Sequence, residues 1–159
     1  MRYKTHLITT FVLATPSAYM TNNLDLLGVC GLAIGALLPD IDEPNSFIGR
    51  RIPIIPNIVK IIFGHRGMTH TLLATMLFVY LAIEFPNEFT KMLALGYFLH
   101  IVEDTFSVNG VQWFAPITAK KIAFKWYITG KTSETIIMGI MLIYLCLEYY
   151  IILYYFENM

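Results

Sequence analysis

The sequence is short of charge. Lys, Arg, Asp and Glu make up 14% of its 159 residues, and eleven acidic residues cancel eleven basic ones; soluble domains carry about 25% charged residues. This excludes a disordered chain, a nucleic-acid binder built on a basic face, and the charged coat of an ordinary soluble enzyme. Cysteine is nearly absent. Cys30 and Cys146 sit far apart in apolar runs, which excludes a disulfide framework or a thiolate zinc site and reads as two small packed hydrophobes. There is no internal repeat and no low-complexity tract. What remains is apolar: 57% hydrophobic residues and a mean hydropathy of +0.61. The length allows one domain, residues 1–159, and the composition points to a small integral membrane protein. A soluble helical bundle is the alternative, but nothing supplies its polar outer face.

Five apolar segments can be marked: Leu7–Tyr19, Leu24–Leu38, Thr71–Phe85, Met92–Phe106 and Thr135–Phe156. They predict an all-α, multi-span transmembrane helical bundle of about five helices. Only the last reaches the length of about 20 residues that spans a bilayer. The others, at about 15 residues or roughly 22 Å of helix, must borrow flanking residues or thin the bilayer to cross. Between the second and third segments, Ile52–Phe63 reads as a short helix lying on the membrane surface. Between the fourth and fifth, residues 107–131 read as a short hairpin or extended arm carrying Trp113, Phe114 and Trp126, and Gly130–Glu134 as a cap for the last helix. On alternating spans, ten of the eleven basic residues fall on one face, with only Lys91 opposite. The positive-inside rule makes that face cytoplasmic. A signal peptide over Met1–Ala18 is the competing reading, and cleavage would discard His6.

The four histidines and several carboxylates sit at the ends of these segments that share the basic face. His6 opens the first segment; Asp40 and Asp42 close the second; His65 and His70 lead into the third; His100 and Asp104 end the fourth. His100 and Asp104 are four apart and share a helix face. Inside an apolar helix such a pair is costly unless partnered, metal-bound or facing water, and Glu103 is a second candidate partner for His100. Asp40 and Asp42 lie where a helix dipole disfavours negative charge, which a nearby cation would offset. Thr69 looks like the N-cap of the third helix. Taken singly, each group has a plain structural explanation: a His–Asp hydrogen bond, solvated loop carboxylates, a surface turn, an interfacial histidine. Together they form the nitrogen and oxygen donor set that suits zinc, with manganese or iron as alternatives, in one or two ions. Such a centre suits hydrolysis, and Arg66 is placed to clamp a phosphate oxygen.

Leu38-Pro39-Asp40-Ile41-Asp42 with Pro44 and Ser46, the block Gly64-His65-Arg66-Gly67-Met68-Thr69-His70-Thr71, and Gly96-Tyr97-Phe98-Leu99-His100 with Asp104, Asn109-Gly110-Val111 and Pro116 stand in this order, with Thr5-His6 ahead of them. Together they resemble the hallmark blocks of the YdjM family of membrane-bound metal-dependent hydrolases, members of which are LexA-regulated. The family is distantly similar to zinc-dependent phospholipase C and P1-type nucleases. Thr71 stands where the family usually has serine. The resemblance implies an all-helical fold in the bacterial inner membrane and metal-assisted phosphoester hydrolysis. On this reading His6, Asp40, His70, His100 and Asp104 are the metal ligands. Asp42 and His65 are further ligands or proton-transfer groups, and Arg66 steadies the phosphate. The expected partners are the lipid bilayer and a phosphoester substrate, a phospholipid or another membrane-associated ester, with neither nucleic acid nor an obligate protein partner. A metal-ion transporter or sensor built on the same cluster is the alternative.

Overall fold

A computed structural model describes residues 1–20, 25–52, 54, 56–58 and 67–157. The described residues form helices and no strand: α1 (Tyr3–Met20), α2 (Leu26–Leu37), α3 (Leu72–Glu84), α4 (Glu88–Thr105) and α5 (Thr132–Glu157). Two 3₁₀ turns punctuate them, Leu38–Asp42 after α2 and Met68–His70 before α3. The five predicted helices are therefore present in order. Among the described residues only α5, over Thr132–Tyr154, is both long and apolar enough to cross a membrane; α2 and α3 have 12 and 13 residues. Most of Ile52–Phe63, read from the sequence as a surface helix, lies outside the described residues.

Local chemistry explains the boundaries. Asp25 caps α2 by accepting from the Gly28 amide, and Pro39 stands at the second position of the turn that ends it. Asn87 and Thr90 form a reciprocal cap on α4. The cap of α3 is Thr71, whose hydroxyl oxygen accepts from the Ala74 amide. This corrects the expectation for Thr69, which sits in the preceding 3₁₀ turn with its hydroxyl committed elsewhere. The arm is a loose hairpin with antiparallel pairing of Val111 and Ile122, and Trp126 and Phe124 project from it, 71% and 57% exposed. Both cysteines are free and exposed, not packed as their apolar surroundings suggested.

Helices α2 and α4 pack most closely. A Cβ added to Gly31 would lie 2.3 Å from the Phe89 carbonyl oxygen, one on Gly35 2.2 Å from that of Leu93, and one on Gly96 2.4 Å from that of Leu32. Backbone meets backbone along this seam, because glycine puts no side chain between the two helices. Beside it Ala14, Ala18, Leu32 and Met92 form one buried cluster, and Tyr97, Ile101 and Val111 another. Helix α5 packs along α1 and exposes Ile136, Ile140, Ile143 and Leu147.

Gly35→Ala should therefore open the α2–α4 seam at a cost of about 1–3 kcal/mol or more, read as a lower unfolding temperature in detergent. Gly139→Ala, which meets nothing within 4 Å, should be neutral or slightly stabilising because alanine favours helix. Equal responses at the two positions would refute the close-packed seam.

Candidate metal centre

Four separate segments deliver the polar core. His6 comes from the first turns of α1, Asp40 and Asp42 from the turn after α2, His70 from the turn before α3, and His100, Glu103 and Asp104 from the last turns of α4. The side chains of His6, His70, His100 and Asp104 are fully buried, and that of Asp40 is 18% exposed. The rings of His6 and His100 stack with centroids 3.8 Å apart, and His70 meets His100 edge to face at 5.3 Å. Two overlapping sets, His6–His100–Asp104 and Asp40–His70–His100, bring their donor atoms within 4.8 Å of one another.

The hydrogen bonds fix which ring nitrogen faces inward. Nδ1 of His100 lies 2.6 Å from the Ala36 carbonyl oxygen. A carbonyl only accepts, so Nδ1 carries a proton and Nε2 points into the cluster. Ala36 belongs to the last turn of α2, where carbonyls run out of helical donors; the imidazole supplies one. Nδ1 of His6 lies 2.6 Å from Glu103 Oε2 and donates to it for the same reason, while Thr10 donates its hydroxyl to Glu103 Oε1. The Thr69 hydroxyl donates to Asp42 Oδ2 at 2.8 Å, leaving its oxygen to accept from His70 Nδ1 at 3.0 Å. All three imidazoles are thus held by Nδ1, with Nε2 inward.

The inward nitrogens face one another and carboxylate oxygens across short gaps. His100 Nε2 is 3.3 Å from His70 Nε2, and each lies 3.7 Å from Asp40 Oδ1. His6 Nε2 is buried, makes no hydrogen bond, and lies 3.4 Å from Asp104 Oδ1; His70 Nε2 is 3.9 Å from Asp104 Oδ2. Metal-ligating histidines characteristically spend their second nitrogen on a carboxylate, carbonyl or hydroxyl in this way. The donor set, three imidazoles and two carboxylates without thiolate, fits zinc, manganese or iron. Positive charge is also favoured here. Burial works against a charged His70, yet the Asp40 and Asp42 carboxylates push its pKa up to about 9. Burial equally opposes ionised Asp40, and the His100 and His70 imidazoles hold its carboxyl well below the usual carboxylate range.

The structure brings together all five residues expected as ligands. Asp42 is buried behind His70, 3.6 Å from its Nδ1, where it orients the ring through Thr69. His65 and Arg66 lie outside the described residues. Glu103, read from the sequence as a second partner of His100, instead holds His6. Tyr127 was missed, and Glu134, left open as a further ligand, has a different task. Tyr127 reaches in from the arm, its hydroxyl 3.3 Å from Asp104 Oδ1 and 3.1 Å from the Glu103 carbonyl. Glu134, read as part of a cap, accepts from the Arg2 and Gly130 amides and so ties the start of α1 to α5. Tyr127 carried no sign in the sequence.

A family profile described as "YdjM inner membrane protein" matches residues 1–158. YvsG, an uncharacterised protein of Bacillus subtilis, is 29% identical over 154 residues, 96% of each chain. The inner membrane protein YdjM of Escherichia coli is 39% identical over 87 residues, which cover 50% of this chain and 44% of that protein. No solved structure matches.

His6→Ala, His70→Ala, His100→Ala and Asp104→Ala should each lower bound metal in the purified protein, and Glu103→Gln should weaken metal binding about ten- to hundredfold. Because metal must displace the His70 proton, held up to pH about 9, affinity should rise with pH, by about tenfold per unit for one proton released. Competition with a chelator at pH 6, 7 and 8 reads this slope; a flat profile refutes it.

Proposed function

The chain belongs to the YdjM family of inner membrane proteins, and from that premise we propose that it is a membrane-bound, metal-dependent phosphoesterase acting on a phospholipid or another membrane-associated ester. The observation that carries the proposal is the inward set of three Nε2 atoms beside Asp40 and Asp104. Membership in an inner membrane family implies association with a lipid bilayer. We further propose that all five helices are embedded, with the ligand-bearing ends on the cytoplasmic face, in keeping with the basic residues gathered there.

On this reading His6, Asp40, His70, His100 and Asp104 hold a divalent cation, with zinc the best match to the donors. His100 has spent Nδ1 on Ala36, so its one inward nitrogen serves one ion, which favours a single ion over two. A bound cation would lower the pKa of water and offset charge on a phosphoryl group. The chain's own residues do the remaining work. Glu103 and the Thr69–Asp42 pair keep His6 and His70 from turning. The apolar helices keep bulk water from the cluster, so that its charges act in a medium of low dielectric. Asp40, the least buried of the set, marks the side from which substrate arrives. Arg66 would steady the phosphate, and His65 would transfer a proton.

The test is release of water-soluble phosphate product from radiolabelled phospholipid by purified protein loaded with zinc or manganese. Activity is expected in the wild type, with a loss of at least about 10³-fold in His100→Ala and Asp104→Asn. Metal bound at the centre with no hydrolysis, together with metal-ion flux into liposomes, would replace this reading with transport.

A further inference from the structure

A cavity of about 660 Å³ opens beside the centre, within the range of small-ligand pockets. Asp40 lines it, and Asp40 is the cluster residue that keeps measurable exposure, 18% against 0% for His6, His70, His100 and Asp104. The cavity is therefore the approach to the cluster among the described residues. Lys4, from the first turn of α1, and Arg50, from the loop after Asp42, also line it. Neither is paired with a carboxylate among the described residues: Arg50 Nε reaches the Ser46 carbonyl at 3.4 Å, and Lys4 Nζ lies 6.0 Å from the Tyr3 ring. Arg2, by contrast, is committed to Glu134 and Thr135. Tyr3 and Phe47 stack at 4.5 Å to form one wall, and Arg51 lies over the outer ring of that stack, 3.6 Å from the Phe47 centroid.

A third side belongs to the membrane helix. Met138 lines the cavity and lies within the Thr132–Tyr154 span, under two turns from its start. The pocket thus sets Lys4 and Arg50 beside the Asp40 and Glu43 carboxylates, reaches the cluster suited to metal through Asp40, and has apolar helix on one flank.

We propose that this cavity is the recognition site for a phosphate-bearing anion, held by Lys4 and Arg50, with net-anionic phosphoesters selected over zwitterionic ones. A headgroup seated here presents its phosphate toward Asp40 while its acyl chains follow α5. A choline headgroup brings a quaternary ammonium against Lys4 and Arg50, which repel it. The assignment rests on the phosphoesterase reading of the same centre and adds the class of substrate it accepts. Lys4 and Arg50 are specificity residues and hold no metal.

The test measures binding apart from turnover. Metal-loaded full-length protein in detergent is titrated with radiolabelled phosphatidylglycerol, with phosphatidylcholine, and with soluble glycerol 1-phosphate. Lys4→Gln, Arg50→Gln and the double variant follow; both positions are exposed, and unchanged helicity and metal content confirm the fold. Phosphatidylglycerol is expected to bind at least about tenfold more tightly than phosphatidylcholine, with each substitution costing about tenfold. Binding of glycerol 1-phosphate as tight as the lipid's, and equally sensitive to the substitutions, supports the anion site and identifies its ligand as soluble. Binding confined to the lipid identifies the membrane as source. Equal binding of the two lipids, or anion binding that survives the double substitution, overturns the proposal. Selective binding without hydrolysis would fail the phosphoesterase reading alone, and hydrolysis without charge selectivity would fail this one alone.

Discussion

The hydrogen bond from His100 Nδ1 to the Ala36 carbonyl joins the tightest helix pair to the centre. It answers two demands at once: a helix-end carbonyl needs a donor, and a buried imidazole needs a fixed tautomer. Because Gly31, Gly35 and Gly96 press α2 onto α4, the distance from the Ala36 carbonyl to the imidazole is set by backbone contact. His6 then stacks on His100, and His70 abuts its edge. Loosening the glycine seam would therefore disturb the imidazole cluster as well as stability.

Around that bond the molecule buries polar groups that an apolar interior tolerates only when paired. Each imidazole has its own outer anchor: a carbonyl for His100, Glu103 for His6, Thr69 backed by Asp42 for His70. The anchors come from different segments, so orientation of the cluster depends on the whole fold being assembled. Tyr127 extends the same logic to the arm, because its hydroxyl donates to the Glu103 carbonyl and to Asp104 Oδ1 at the end of α4. Glu134 does so for α5 by gripping the backbone at Arg2 and Gly130.

Much of this was legible in the sequence because burying a histidine or aspartate in an apolar helix is costly. His6, Asp40, His70, His100 and Asp104 stood out for that reason, and alternating helix direction sent them to one end. What the sequence left hidden were choices between near neighbours. Thr69 and Thr71 are equally good caps by type, and the backbone turn at Met68–His70 decided for Thr71. Glu103 is three residues from His100, yet its place on α4 turns it toward α1 and His6. The Gly31–Gly35 spacing was visible, but only a facing helix gives it meaning. Tyr127 is one of ten tyrosines, and its role comes from the path of an arm whose pairing is non-local.

The brevity of the inner helices has a mechanical corollary. Twelve and thirteen residues make rods of about 18–20 Å, while a bilayer's oily layer measures about 30 Å. An embedded bundle with such stubby members puckers the surrounding leaflet, since lipids shorten or tilt to cover what the protein leaves bare. On the proposed embedding, the dimple would fall where α2 ends and α3 begins, beside Asp40. A lipid would then need only a small downward slide, with no extraction from its layer, to bring its phosphate within reach.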